Sequence, residues 1–278
     1  MKQSHLRALQ RVYLVLLFSF MYVPIAVMAV FSFNESKSRT IFTGFTFKWY
    51  KSLFHNEMIL SALGLSLVVA LIAAVVATVV GTAAAIGINA MGKRSQAVIN
   101  NISYMPVVNP EIITGVSLML LFVVVKDGIA WANQNLGWTL PENIFGLPTL
   151  LIAHISFCLP YVIFNVSPKL RQLDVRVYEA ALDLGCNPKQ AFFKVVLPEL
   201  APAILSAFLI CLTYSIDDFL ISYFTSGTTQ TLPIVIYSMT RKKVSPEINA
   251  LSTVMFLVIL AIILFYNYLD GRREARKA

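Results

Sequence analysis

Charged residues are scarce in this sequence. Only 13% of its 278 residues are Asp, Glu, Lys or Arg, whereas a soluble domain carries about 25%. Hydrophobic residues make up 58% of the chain. This balance excludes an ordinary soluble protein and predicts an all-α polytopic membrane protein, because a helix satisfies its own backbone hydrogen bonds inside a bilayer.

Cysteine is also rare, and the usual signatures of catalysis are missing. The three cysteines, Cys158, Cys186 and Cys211, give no disulfide framework, and we expect them to fill space in a helix bundle. The sequence shows no metal-ligand spacing and no nucleophile–histidine–acid arrangement, so an enzyme has little support. The net charge of +8 lacks the accompanying aromatic platform that would indicate nucleic-acid binding.

One nucleotide-binding motif comes close and fails. "GINAMGKR", from Gly87 to Arg94, matches a P-loop until its last position, where Arg94 replaces the hydroxyl that would bind magnesium. A P-loop also follows a strand, and this stretch follows an apolar run. We therefore expect no bound cofactor in this chain, and any ATPase that energises it would be a different chain.

Six apolar runs are long enough to cross a bilayer, which takes about 20 residues. They are residues 12–33, 60–90, 98–125, 147–166, 203–224 and 250–269, and we treat residues 1–278 as one transmembrane domain. The first run is longer than the apolar core of a signal peptide, so we expect it to remain as a helix. The second is rich in alanine and glycine, which predicts close helix packing.

The basic residues suggest an orientation. Six spans place both termini on one side, and most lysines and arginines then fall on the side of the termini. The positive-inside rule therefore predicts cytoplasmic termini. The "RKK" at 241–243 would lie outside and opposes this assignment.

The longest predicted cytoplasmic loop runs from about Ser167 to Pro202, and its segment 174–198 has the signals of two short helices. Asp174 is a suitable N-cap for the first helix and Gly185 a suitable C-cap. Asn187 would cap the second, with Pro188 at its first position, and Pro198 is expected to end it. Two such helices with an apolar face would dock on another protein, or would form an elbow packed against the bundle of this chain.

This loop resembles the EAA loop of ABC importer permeases. The matching residues are Glu179, Ala180, Ala181, Gly185, Phe193, Leu197 and Pro198. The resemblance implies the type I ABC importer permease fold, in which this loop is a coupling helix seated on the ATP-hydrolysing subunit.

Shorter blocks extend the resemblance over nearly the whole chain. "FSFN" (31–34), "HISFCLPYV" (154–162), "SIDD" (215–218) and "LPIVIYSM" (232–239) are similar to the spermidine/putrescine importers, and most similar to their second permease subunit, the PotC type. The resemblance implies a bacterial inner-membrane location among membrane lipids and a second, different permease. It also implies an ATPase dimer that holds ATP and Mg, and an extracytoplasmic polyamine-binding protein.

Acidic residues lie inside the apolar runs without basic ones. They are Glu111, Asp217 and Asp218, and no Lys or Arg lies at comparable depth. A pathway lined by acids favours a cationic cargo, or protons, and polyamines are flexible polycations.

Depth along the spans predicts that these acids lie together. Counted from the start of their runs, Glu111 and Asp217 are each about 20 Å from the cytoplasmic edge. Pro106 and Pro110 interrupt the helix near Glu111, and broken spans at this depth usually line a cavity. Alternatively, Glu111 begins a helix after Pro110, where an acid is favoured.

A continuous helix would separate the adjacent aspartates by about 100°. A polar stripe then passes through Cys211, Tyr214, Ser215, Asp218, Ser222 and Thr225. On this basis Asp218 is predicted to face the pathway, and Asp217 to bond a neighbouring helix or cap a turn. Tyr214 would offer its ring to an alkylammonium group or simply pack in the bundle.

Two further residues have weaker signals. His154 is predicted to be a neutral packing or hydrogen-bonding group and not a proton relay. Glu247 would meet the binding protein or the entering cation, or belong to an ordinary solvated loop. The alternatives to a polyamine permease are a permease for another small cation and an ion-coupled carrier that works alone.

Overall fold

The computed structural model describes residues 2–38, 41–242 and 246–275 of the chain. Within these residues the fold is helical, and its one β-bridge joins Asn34 and Phe45. The helices are α1 (Lys2–Phe31), α2 (Lys48–Leu53), α3 (Glu57–Asn89), α4 (Lys93–Val108), α5 (Glu111–Leu136), α6 (Leu147–Gln172), α7 (Val175–Asp183), α8 (Pro188–Ala191), α9 (Leu197–Asp217), α10 (Leu220–Thr225), α11 (Leu232–Lys242) and α12 (Pro246–Ala275).

Five stretches of helix among the described residues are long and apolar enough to cross a membrane. They are Leu9–Phe31, Glu57–Asn89, Glu111–Leu136, Leu147–Gln172 and Pro188–Asp217. Each overlaps one of the predicted runs. The sixth run falls in α12, whose described apolar stretch, Pro246–Ala261, is shorter.

The third and fifth predicted runs are not single helices. In the third, α4 ends at Val108 and Asn109 has an extended backbone (φ −67°, ψ 139°) before Pro110 and α5. Proline lacks an N–H and disfavours the helical conformation of the residue before it, which explains the break. In the fifth, α9 ends at Asp217 and Asp218 is extended (φ −62°, ψ 121°) before α10 begins. The depth argument for Glu111, which assumed one helix from residue 98, is therefore wrong.

The chain divides into two compact units, and the larger contains Ser61–Val235. At its centre lies α6, which is buried along most of its length and packs against α9 and α10. Helix α3 also approaches α6 closely: a Cβ at Gly81 would lie 2.7 Å from the Cβ of Val162. The predicted close packing of this alanine- and glycine-rich helix is confirmed at that position.

The short helices of the 174–198 loop have the predicted caps. The Asp174 side chain accepts a hydrogen bond from the Arg176 N–H at 3.0 Å, and the Asn187 side chain accepts one from the Gln190 N–H at 2.8 Å. Gly185 follows α7 with φ of +88°, a left-handed conformation that favours glycine.

Pro198 does not end the second helix, so that prediction is wrong. The chain passes from α8 through a π-helical turn, Phe192–Val196, directly into α9. Pro198 has no N–H and deprives a carbonyl of the preceding turn of its partner. A π turn at this position changes the hydrogen-bond register and lets the helix continue across the proline.

The second unit comprises Met1–Leu60 with Ile236–Ala278. In it, α12 packs against α1 and α2, and the Asn34 side chain organises the segment between α1 and α2. Asn34 donates to the carbonyls of Ser38 and Ile41 and accepts from the Thr43 N–H. Part of the predicted orientation depended on Arg39, Lys243, Arg276 and Lys277, which lie outside the described residues.

Candidate transport site

A cavity of about 370 Å³ lies in the larger unit, at the breaks between α4 and α5 and between α9 and α10. The described residues that line it are Glu111, Phe157, Tyr214, Asp217, Asp218, Phe219 and Leu220. Three of them are acidic and none is basic. The structure therefore brings together the three acids that the sequence grouped.

Glu111 enters this cavity as the first residue of α5, directly after Pro110. Its side chain is exposed, and a carboxylate at a helix N-terminus is stabilised by the helix dipole. One turn later, a Cβ at Gly115 would lie 3.0 Å from Phe224 and 3.3 Å from the carbonyl oxygen of Leu220. This close approach of α5 to α10 places Glu111 beside the second break, and a side chain at residue 115 would require α10 to shift by a few tenths of an ångström.

Asp217 is the last residue of α9 and is exposed. The final carbonyls of a helix have no partner within it, and the dipole places about half a negative charge at this end. Within the described residues, Asp217 forms no ion pair with a lysine or arginine. A negative charge and a helix C-terminus therefore meet at the cavity.

Asp218, in contrast to Asp217, is buried. Its side chain is 3% exposed and accepts hydrogen bonds from the Ile221 N–H at 3.3 Å, the Ser222 N–H at 2.7 Å and the Ser222 hydroxyl at 2.9 Å. It caps the first turn of α10 from just before that helix. The predicted division of roles, which assumed an unbroken helix, is thus reversed: Asp217 is the exposed acid, and Asp218 borders the cavity as a buried cap.

The predicted polar stripe borders the cavity only at Tyr214 and Asp218. Apart from Tyr214, its members are buried where α9 and α10 meet α6. The Thr149 hydroxyl of α6 donates to the Thr225 carbonyl at 2.8 Å, and the thiols of Cys158 and Cys211 each lie within 3.8 Å of the other's carbonyl oxygen. The stripe is a polar seam that holds the broken span against α6.

His154 lies at the centre of this seam and is 1% exposed. Its Nδ1 is 2.6 Å from the Ser215 hydroxyl, and its Nε2 is 3.0 Å from the Ser222 hydroxyl and 3.6 Å from an Asp218 carboxylate oxygen. The prediction of a hydrogen-bonding histidine agrees with these contacts.

Aromatic rings form one wall of the cavity. Tyr214 is 43% exposed, and its ring centroid lies 4.8 Å from that of Tyr161 and 6.2 Å from that of Phe157. The ring therefore packs in the bundle and also borders the cavity. The offer of this ring to an alkylammonium group stays a prediction. The sequence did not identify Phe157 as a lining residue, although it stands one helical turn after His154.

The 174–198 loop has an inner and an outer side. Ala181 and Ala191 are buried, whereas Glu179, Ala180, Gly185 and Pro198 are exposed and Leu197 is half-buried. Two large apolar side chains also point outward, with Leu184 86% and Phe193 63% exposed. The loop is thus an elbow on its inner side and an uncovered apolar surface on its outer side.

The remaining motifs fall elsewhere. Glu247 is the second residue of α12, in the smaller unit. Its carboxylate accepts hydrogen bonds from Ser52 of α2 at 2.5 Å and from Asn56, just after α2, at 3.4 Å. It is half-buried and is not an ordinary solvated loop residue. The near P-loop spans the end of α3 and the start of α4, with Gly92 as the N-cap of α4.

Comparison with known proteins identifies the family. The chain matches the model of the binding-protein-dependent transport system inner membrane component over residues 77–277, and it belongs to this family. It is therefore a multi-pass membrane component of a transport system, and proteins of this kind are not catalytic by themselves.

Named relatives cover nearly the whole chain. The putrescine transport system permease protein PotI of Escherichia coli K12 is 37% identical over 96% of this chain and 92% of its own length. The spermidine/putrescine transport system permease protein PotC of Haemophilus influenzae is 34% identical over 96% of this chain and 98% of its own. PotC of E. coli K12 is 33% identical over 93% of this chain and 92% of its own length. The resemblance drawn from short sequence blocks is confirmed.

The fold has a counterpart among solved structures. A bacterial ABC transporter involved in the import of the acidic polysaccharide alginate matches with a TM-score of 0.73 at 19% identity, over 98% of this chain and 96% of that chain. Its complex with an alginate-pentasaccharide-bound periplasmic protein matches equally well. At this identity the match shows the ABC importer permease fold and says nothing about cargo.

Proposed function

We propose that this chain is one permease subunit of an ATP-driven importer of polyamines such as spermidine and putrescine. The relatives that are 33–37% identical over almost its full length are polyamine permeases by name. The observation that carries the proposal for this chain is the acidic cavity, in which two exposed carboxylates meet an aromatic wall without a basic lining residue.

The chemistry of the cavity suits an alkylammonium chain. Asp217 and the C-terminal end of α9 attract a cation, and Glu111 supplies a second carboxylate. The rings of Tyr214 and Phe157 offer apolar surface to methylene groups and a negative face to ammonium groups. An anionic cargo would leave both acids unexplained.

The proposal extends to the membrane topology of the chain and to its partner subunits. Residues 1–278 form one transmembrane domain with six spans, in which α12 supplies the sixth, and both termini are cytoplasmic in the bacterial inner membrane. A second, different permease supplies the other half of the pathway, and an extracytoplasmic binding protein delivers the polyamine. An ATPase dimer that holds ATP and Mg contacts residues 174–198, because their exposed Leu184 and Phe193 form an uncovered apolar surface.

The cargo is tested by uptake of labelled spermidine into vesicles that contain all components. We expect Asp217→Asn and Glu111→Gln each to lower uptake about tenfold or more, since a hydrogen bond to a charged group contributes about 1.5–3 kcal/mol. Glu142→Gln removes an exposed acid from the loop before α6 and serves as the matched control. Normal uptake by both cavity variants would contradict the proposal.

Coupling is tested at the loop. Glu179→Lys should abolish ATP-dependent uptake, whereas Glu142→Lys, with the same charge change elsewhere, should not. Uptake by this chain alone in liposomes, without an ATPase, would instead favour the ion-coupled carrier.

A further inference from the structure

We propose that His154 is a positioning residue for the transport cavity. It clamps the end of α9 to the start of α10 across the break at Asp218, and thereby directs Asp217 into the cavity. The clamp consists of contacts within this chain, and only its consequence for uptake rests on the proposed function.

The break interrupts the helical hydrogen bonding between the two segments. Asp217 ends α9, and α10 begins at Leu220, so no intrahelical hydrogen bonds fix the angle between them. The segments are also unequal, because α10 has six residues and an isolated helix of that length is not stable in water. Contacts with neighbouring helices therefore help to set its geometry, beside the cap that Asp218 provides.

His154 makes one contact on each side of the break. Ser215, bonded at Nδ1, lies in the last turn of α9, and Ser222, bonded at Nε2, lies in the first turn of α10. Both contacts come from a single rigid ring on α6, the most buried helix of this unit. His154 itself is absent from the cavity lining, so it acts on the cavity through the residues that it holds.

The hydrogen-bond directions agree along the whole chain of contacts. The carboxylate of Asp218 accepts the Ser222 hydroxyl proton. The Ser222 oxygen then accepts a proton from His154 Nε2. In a neutral ring Nδ1 has no proton, and it accepts the Ser215 hydroxyl proton. Every member is paired in one arrangement that ends on Asp218, the residue that caps α10. Such a fully paired buried network specifies one geometry.

The accessibility of residue 217 can be measured by chemical labelling. In a chain whose three cysteines are replaced by alanine, Asp217→Cys is labelled in the assembled complex with a charged methanethiosulfonate reagent. We expect His154→Leu to change the labelling rate at least fivefold, because α9 and α10 lose their common partner. His154→Gln keeps an N–H near the Nε2 position and should return the rate to within about twofold. Glu142→Cys, in the loop before α6, is the control and should label equally in all backgrounds.

Two further variants test the clamp without changing the histidine. Ser215→Ala and Ser222→Ala each remove one of its contacts and should shift the labelling of Asp217→Cys in the same direction as His154→Leu. If neither serine variant nor His154→Leu alters the labelling rate in assembled complexes, the proposal is overturned. The serine variants also decide the question if His154→Leu does not assemble.

A second measurement is the amount of substrate carried per ATP hydrolysed, which would not change if His154 had a purely structural role. His154→Leu should lower the amount of substrate carried per ATP hydrolysed, leave the hydrolysis stimulated by the binding protein unchanged, and be rescued by His154→Gln. A parallel loss of assembly and hydrolysis, without a change in this ratio, would contradict a positioning role. If the wild-type complex takes up no polyamine while the labelling results hold, the proposed function fails and the clamp stands.

Discussion

Replacement of Asp218 by alanine should destabilise this protein far more than the same change at its neighbour Asp217. The Asp218 carboxylate accepts hydrogen bonds from two backbone N–H groups and one hydroxyl in a buried position. Asp217 is exposed. Two adjacent residues of the same type thus provide an internally matched comparison.

The expected size of the effect follows from the bonds that are lost. Removal of a side chain that caps a helix costs about 0.5–2 kcal/mol, and a buried donor left without a partner costs about 1–3 kcal/mol. Because these contributions overlap, we expect Asp218→Ala to lower the free energy of unfolding by about 3 kcal/mol. Asp218→Asn keeps one acceptor oxygen and should cost about 1 kcal/mol. Asp217→Ala should stay within about 0.5 kcal/mol of the wild type, as exposed substitutions do.

The assay is SDS-induced unfolding of the purified chain in mixed micelles, followed by the loss of helical circular dichroism. Uptake is measured in parallel. Asp217→Asn should lose transport although it unfolds like the wild type. Equal stability of Asp218→Ala and the wild type would refute the assignment of Asp218 as a buried cap. A strongly destabilised Asp217→Ala would refute the assignment of Asp217 as the exposed acid.

Other predictions follow from single positions. Gly81→Leu should cost about 1–3 kcal/mol through overpacking of α3 against α6, whereas Gly87→Leu on the same helix meets open space and should be nearly neutral in the same unfolding assay. Gly185→Ala, at φ +88°, should cost about 1 kcal/mol and reduce ATP hydrolysis stimulated by the binding protein, whereas Gly92→Ala, at φ −62°, should not. Maleimide should modify only Cys186 in the native protein, because the other two cysteines are buried, and mass spectrometry of the intact chain would show a single adduct.

The 174–198 loop could be predicted closely because its signals are local. Asp174, Gly185 and Asn187 each act on backbone groups within a few residues, so the order of amino acids is enough to identify them. Pro198 misled the prediction because the cost of a proline depends on the register of the turn before it, and a π turn changes that register. The sequence gives no local sign of the π turn.

The cavity could be predicted only in part. Pro110 marks the first break, so a helix that begins at Glu111 was among the alternatives. The second break has neither glycine nor proline at Asp218, and its support comes from His154, more than 60 residues earlier in the chain. The presence of acids was therefore readable from the sequence, whereas their roles depended on contacts between distant segments. Gly115 was missed for the same reason, since its importance lies in the backbone of α10.

The continuous helix from Pro188 to Asp217 connects the two functional ends of the chain. Its 30 residues correspond to about 45 Å, and it begins in the EAA loop and ends on the cavity acid. A rotation imposed at Phe193 by an ATPase subunit would turn the whole rod about its axis and sweep Asp217 around that axis with it. If the proposed roles hold, the carboxylate of Asp217 and the exposed apolar surface at Phe193 would then move together during transport.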